Sequence, residues 1–91
     1  MIAKRLRVHG LVQGVGFRFS AMHEARQLGV NGWVRNRLDG SVEIQVEGGA
    51  DAVNAMMRWA AHGPASARVV RLEVRDEKLE GCKDFSEHAT Y

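Results

Sequence analysis

The residues best suited to chemistry lie close together near the N-terminus, in the run Val8 to Phe17 and the Arg18 that follows it. Gly10, Gly14 and Gly16 allow positive φ angles and leave their amides uncovered by Cβ atoms, so several N–H groups can converge on one point. Phe17, Ala21, Ala25 and Leu28 recur at helical spacing, and the helix they predict aims its partial positive end at the same point. Arg18, in the first turn, adds a rigid fork of donors that fits two phosphate oxygens better than a lysine would. The stretch reads as an anion cradle, suited above all to a phosphoryl group. Taken alone, a glycine-rich turn before a helix is more often a turn that needs glycine only for its backbone. No Gly-Lys-Ser/Thr follows, and the glycine spacing is not that of a dinucleotide fold, so the familiar nucleotide motifs are excluded.

Composition limits the other possibilities. With 91 residues, 45% apolar and 26% charged, the chain is expected to form one domain over residues 1–91 with a single modest core. No apolar run is long enough to span a membrane, and the first residues enter a strand pattern without a signal region, so a cytoplasmic location is expected. The lone Cys82 cannot form an internal disulfide, which agrees with a reducing compartment. The net charge of +2 does not argue for nucleic acid. Its distribution is uneven: residues 1–37 carry seven basic groups against one acidic, a net +6, while residues 38–91 carry six against ten, a net −4. The half that holds the cradle would attract a small anion. Lys4, Arg5 and Arg26 read as solvated surface charges.

The elements that must position the cradle follow from periodicity. A strand is predicted over about Ala3 to Val8, a helix over Phe17 to Leu28 capped by Gly29, and a second strand from Val30 to Leu38. In that second strand Val30, Gly32, Val34, Asn36 and Leu38 share one face, and Asn31, Trp33, Arg35 and Arg37 the other. The third strand alternates Val42, Ile44 and Val46 inward with Glu43, Gln45 and Glu47 outward. Matching these faces requires a three-residue Leu38-Asp39-Gly40 loop that pairs Val34 with Ile44 and Asn36 with Val42. Ala50 to His62 forms a second helix with Val53, Met56, Met57 and Ala60 on its buried stripe, and Gly63-Pro64 ends it. A fourth strand follows with Val70, Leu72 and Val74 inward. Asp76 to Asp84 is a polar connector, and Phe85 to Tyr91 can form a short fifth edge strand.

The order βαββαβ, with two right-handed crossovers and a hairpin between them, predicts an α+β ferredoxin-like sandwich. Its four-stranded antiparallel sheet has the order 4-1-3-2 and carries both helices on one face. That topology brings the end of the second strand, with Asn36, to the same end of the sheet as the glycine loop. An amide on the apolar face of a strand breaks the local pattern, and such breaks concentrate at working sites. An Asn bonded to nearby backbone at a strand end is the structural alternative.

Gly10-Leu11-Val12-Gln13-Gly14-Val15-Gly16-Phe17-Arg18, followed by Gly32-Trp33-Val34-Arg35-Asn36 and Gly40-Ser41-Val42 with Gly48 beyond, resembles the acylphosphatases. The likeness runs from about Arg5 to Val74. It implies a small, metal-free and cofactor-free hydrolase that cleaves the carboxyl-phosphate bond of acyl phosphates and is inhibited competitively by inorganic phosphate. It also implies that the amides of Gln13, Gly14, Val15, Gly16 and Phe17 bind the phosphoryl group with Arg18, and that Asn36 positions the attacking water. No cysteine or histidine sits in the loop as a nucleophile, and His9, His23, His62 and His88 have no metal-ligand spacing. The tail departs from the family, which commonly closes on Phe-x-Ile-Arg-Tyr, whereas here Ser86, Glu87, His88 and Ala89 follow Phe85. A larger hydrogenase-maturation carbamoyltransferase carries a similar domain, but without zinc-finger cysteines a free-standing enzyme is the simpler expectation, and a monomer is expected. A non-catalytic ferredoxin-like module for RNA or a small regulatory ligand is the alternative. An RNA platform should show aromatics on the first and third strands, which have none.

Overall fold

The computed structural model describes residues 1–91. Its elements are β1 (Ile2–Leu11), α1 (Phe17–Leu28), β2 (Asn31–Asn36), β3 (Val42–Gly48), α2 (Ala50–His62), β4 (Arg68–Glu77) and β5 (Phe85–Glu87). The sheet order is β4-β1-β3-β2-β5, so the expected 4-1-3-2 arrangement holds and the tail adds a fifth strand, parallel to β2. Both helices pack on one face, α1 over β2 and β5, and α2 over β1, β3 and β4. Between them lies the core: Leu6, Val8, Val34, Val42, Ile44 and Val46 from the sheet meet Phe17, Ala21, Ala25, Val53, Met56 and Ala60 from the helices. Small residues at 21, 25 and 60 let the helices approach the sheet closely, and Phe17 fills the space beside Trp59 with ring centroids 5.3 Å apart.

The hairpin has the register that matching apolar faces demand, with Val34 opposite Ile44 and Asn36 opposite Val42. Arg37 and Ser41 close the Leu38-Asp39-Gly40 loop through Arg37 N–H to the Ser41 carbonyl at 2.8 Å, and Gly40 stands at φ 93°.

Three expectations need correction. β1 runs to Leu11 rather than Val8, because Gly10 and Leu11 continue the pairing with β4 past a bulge. A Cβ on Gly10 would stand 2.1 Å from the Arg68 carbonyl oxygen, so this glycine serves strand packing rather than the loop. The same bulge inserts Val70 as the extra residue between the partners of His9 and Gly10. Val70 is therefore turned out, 70% exposed, and Val69 packs on the core in its place.

The third correction concerns the sheet face away from the helices. Glu43, Gln45 and Glu47 were expected to point to solvent, yet all three are buried. The connector after β4 folds back over this face. Glu47 accepts the backbone N–H groups of Glu80 (2.7 Å) and Cys82 (3.1 Å) and the Gln45 side-chain amide (2.9 Å). Trp33 donates to Glu80 at 2.8 Å, and the guanidinium groups of Arg5 and Arg35 stand over its ring, 4.8 and 4.7 Å from the centroid, with His88 stacked on it. Arg5 is accordingly a structural cation, bonded to Gln45, Glu43 and Glu80. Lys4 pairs with Asp76, and Arg26 donates to the Phe85 carbonyl, so neither is merely solvated.

Candidate active site

The loop between β1 and α1 has no side chain capping the helix it leads into. Gly16 is the N-cap, in the left-handed region at φ 78°, and Gly14 is at φ 74°. A Cβ built on either glycine would meet nothing within 4 Å, so their absent side chains leave open space beside the loop rather than relieve a clash. The backbone N–H groups from Gly14 to Phe19 find no acceptor in the protein, and the helical ladder begins with Ser20 N–H to the Gly16 carbonyl at 3.0 Å. Unpaired amides at the positive end of a helix, with no acidic residue in its first turn, form an anion-attracting concavity.

A cavity of about 150 Å³ opens at this point, lined by Val12, Gly14, Gly16, Phe17, Arg18, Phe19 and Glu87. Of the residues singled out in the sequence, Gly14, Gly16, Phe17 and Arg18 line it directly. Phe17 contributes only backbone, since its ring is in the core. Gln13, Val15 and Asn36 are not among the lining residues. The Gln13 side chain turns away and donates to the Arg37 and Ser41 carbonyls, both at 2.8 Å, while the Val15 carbonyl accepts from Ser66 Oγ at 2.6 Å. Gln13 and Val15 act as struts for the loop, and the Gln13 bonds tie it to the β2–β3 hairpin immediately after Asn36.

Asn36 closes β2, opposite Val42 on the helix-facing side of the sheet, and is 9% exposed. Its Oδ1 is buried and has no hydrogen-bond partner in the protein. An unsatisfied buried carbonyl oxygen costs about 1–3 kcal/mol, and natural folds rarely keep one without a use. The alternative of an Asn satisfied by nearby backbone does not describe this oxygen. The side chain is also more buried than an amide turned to bulk water would be.

Glu87, Phe19 and Val12 border the cavity although sequence reasoning did not select them. Glu87 was legible in principle. β5 is short, but Phe85 enters the core, so the residue two positions on shares its inward face. A carboxylate there requires a cation, and Arg18 Nη1 donates to Glu87 Oε2 at 2.6 Å.

Cys82 is not a nucleophile of this site. Burial and the neighbouring Glu47 and Glu80 carboxylates push its thiol above the ordinary value, which disfavours the reactive thiolate. Glu47, Glu80 and Cys82 bring their side-chain ligand atoms within 4.8 Å of one another on the far face of the sheet. The Glu47 oxygens are already engaged by three N–H donors, so the group serves as the anchor of the connector.

A family model described as acylphosphatase matches residues 4–87, a span that holds every residue of the site from Val12 to Glu87. The chain belongs to the acylphosphatase family. It is 52% identical over 84 residues to an acylphosphatase of Thermococcus kodakarensis, covering 92% of each chain. To an acylphosphatase of Acidovorax sp. it is 49% identical over 89 residues, covering 98% of this chain and 92% of the relative. Among solved structures, the acylphosphatase of Bacillus subtilis superposes with a TM-score of 0.93 at 38% identity, covering 97% of this chain and 99% of the other. An acylphosphatase fold thus supplies the free amides, the arginine and the buried asparagine at one end of its sheet.

Proposed function

We propose that this acylphosphatase hydrolyses small acyl phosphates to a carboxylate and inorganic phosphate at the cavity beside Arg18, within a single domain spanning residues 1–91. The carrying observation is the set of N–H groups from Gly14 to Phe19 that donate to nothing in the protein, gathered at a helix start with Arg18 among them. The three non-bridging phosphoryl oxygens accept from these amides and from the Arg18 fork. Asn36 Oδ1 accepts a hydrogen bond from the attacking water and orients its lone pair towards phosphorus. A bond forms between water oxygen and phosphorus as the bond from phosphorus to the acyl oxygen breaks. The carboxylate leaves with that electron pair, and the water proton passes to solvent.

This chemistry makes modest demands on the protein. A carboxylate is a good leaving group, so neither a strong general acid nor a Lewis acid is required, and positioning with charge stabilisation suffices. The reading includes no cofactor or metal, a monomeric chain and a cytoplasmic setting. No helix is long and apolar enough to cross a membrane. An RNA platform is disfavoured by the covering of Trp33 by Arg5, Arg35 and His88.

Inorganic phosphate, as product and competitive inhibitor, tests the binding half. At a hundred times its Kd it should stabilise the protein against heat by about 2.7 kcal/mol. Arg18→Ala should lose most of that gain at the same concentration. Protection that is undiminished in Arg18→Ala would reject Arg18 as the ligand.

A further inference from the structure

The cavity that receives the phosphoryl group contains one carboxylate, and it is bonded to the residue that the proposed mechanism needs most. Arg18 Nη1 and Glu87 Oε2 are 2.6 Å apart, and the two side chains are 35% and 43% exposed, sheltered by the cavity they share with Gly14, Gly16 and Phe19. The backbone that carries Glu87 is anchored. Glu87 lies in β5 opposite Val34, and the residues beyond it are pinned along β2 by His88 N–H to the Val34 carbonyl (2.9 Å) and Tyr91 N–H to the Asn36 carbonyl (3.0 Å). Leu38 N–H to the Tyr91 carbonyl, at 3.1 Å, fixes the end of the same segment. On the guanidinium, Nε and Nη2 have no protein partner, so Glu87 holds one corner of the fork and leaves its other donors free.

We infer that Glu87 is a positioning residue of this site that also sets its affinity for anions: its carboxylate holds the Arg18 fork in the phosphate-free enzyme and repels the phosphoryl dianion that replaces it. The inference rests on the proposed role of Arg18. A dianion entering this cavity must compete for Arg18 with a neighbouring negative charge, which weakens binding of substrate and product alike. When phosphate leaves, Glu87 retakes the guanidinium, so Arg18 is never left unpaired in a partly sheltered site. The trade is affinity for release. An inward-facing glutamate in β5 is thereby explained as part of the site rather than as a surface charge.

Glu87→Gln retains an oxygen acceptor for Arg18 and removes the charge. Relative to wild type, the inhibition constant of inorganic phosphate and the KM for a small acyl phosphate should each fall by about fivefold, without a rise in kcat. The difference should shrink as salt is added, since the opposed charges are partly solvent-exposed. Glu87→Ile, which removes the bond as well, should also tighten phosphate, and it provides a second measurement if either variant fails to fold. A phosphate inhibition constant that is unchanged or raised in a folded, active Glu87 variant overturns the inference while leaving the Arg18 assignment intact. Phosphate inhibition that survives Arg18→Ala undiminished overturns that assignment, and the inference with it.

Discussion

The side-chain amide of Gln13 lies 2.8 Å from the carbonyl oxygen of Ser41 and makes an equal bond to the Arg37 carbonyl, so one side chain locks the glycine loop to the hairpin that carries Asn36. Both halves of the proposed site are thereby held in fixed relation. Gln13→Ala should raise the KM for an acyl phosphate several-fold. Its stability should fall by only about 1 kcal/mol, because the Arg37 and Ser41 carbonyls keep their partners within the hairpin. Thermal unfolding and steady-state kinetics on the same variant check both parts. A variant with unaltered KM would show that the loop holds its shape without this strut.

Arg18→Lys keeps a positive charge and loses the fork. Because the phosphoryl oxygens are present from ground state to transition state, kcat/KM should fall by on the order of 10² or more while circular dichroism and the melting temperature stay close to wild type. Near-wild-type turnover would show that charge alone, and not the bidentate geometry, is what the site uses.

Asn36→Ala separates chemistry from binding. If Asn36 only orients water, kcat should fall by on the order of 10² while phosphate still binds and still protects against heat. Since Oδ1 has no protein partner to abandon, stability should fall by no more than about 1 kcal/mol, and a gain is consistent with removing an unsatisfied buried oxygen. Loss of phosphate protection in this variant would make Asn36 a ligand instead.

Acid should act through the far face of the sheet. Burial opposes ionisation of Glu43 and Glu47, but Arg35, Arg37 and Arg5 around Glu43, and the Gln45, Glu80 and Cys82 donors around Glu47, hold both carboxyls below their ordinary value of 4.5. A carboxyl lowered in the folded state contributes stability above its unfolded value and loses it as pH falls through the folded one. The melting temperature should therefore be flat above about pH 5 and drop below 4.5. Glu47→Gln should start lower and drop less steeply. An equal acid slope in wild type and variant would remove Glu47 from this account.

The sequence revealed the fold wherever one face was apolar and the other polar. Val42, Ile44 and Val46 determined the hairpin register, and the helix boundaries at Phe17, Leu28, Ala50 and His62 followed from spacing and glycine stops. What escaped it depends on contacts between distant segments. Val70 turns outward because of a bulge opposite His9 and Gly10, which alternation within β4 cannot show. Glu43, Gln45 and Glu47 read as solvated because a local pattern does not reveal that residues 78–82 fold over them. In the site, the glycine loop and Arg18 stood out because glycine spacing and a first-turn arginine are local signals. Glu87 did not, since its partner is Arg18, at the other end of the chain.

The most direct test is phosphate release from a synthetic small acyl phosphate, followed with purified wild type and Arg18→Ala in the presence of a metal chelator. The proposed site predicts multiple turnovers by wild type, undiminished by the chelator, and release by Arg18→Ala close to the spontaneous rate of the substrate. Activity that disappears with chelator and returns with a divalent ion, or equal turnover by the two proteins, would contradict it.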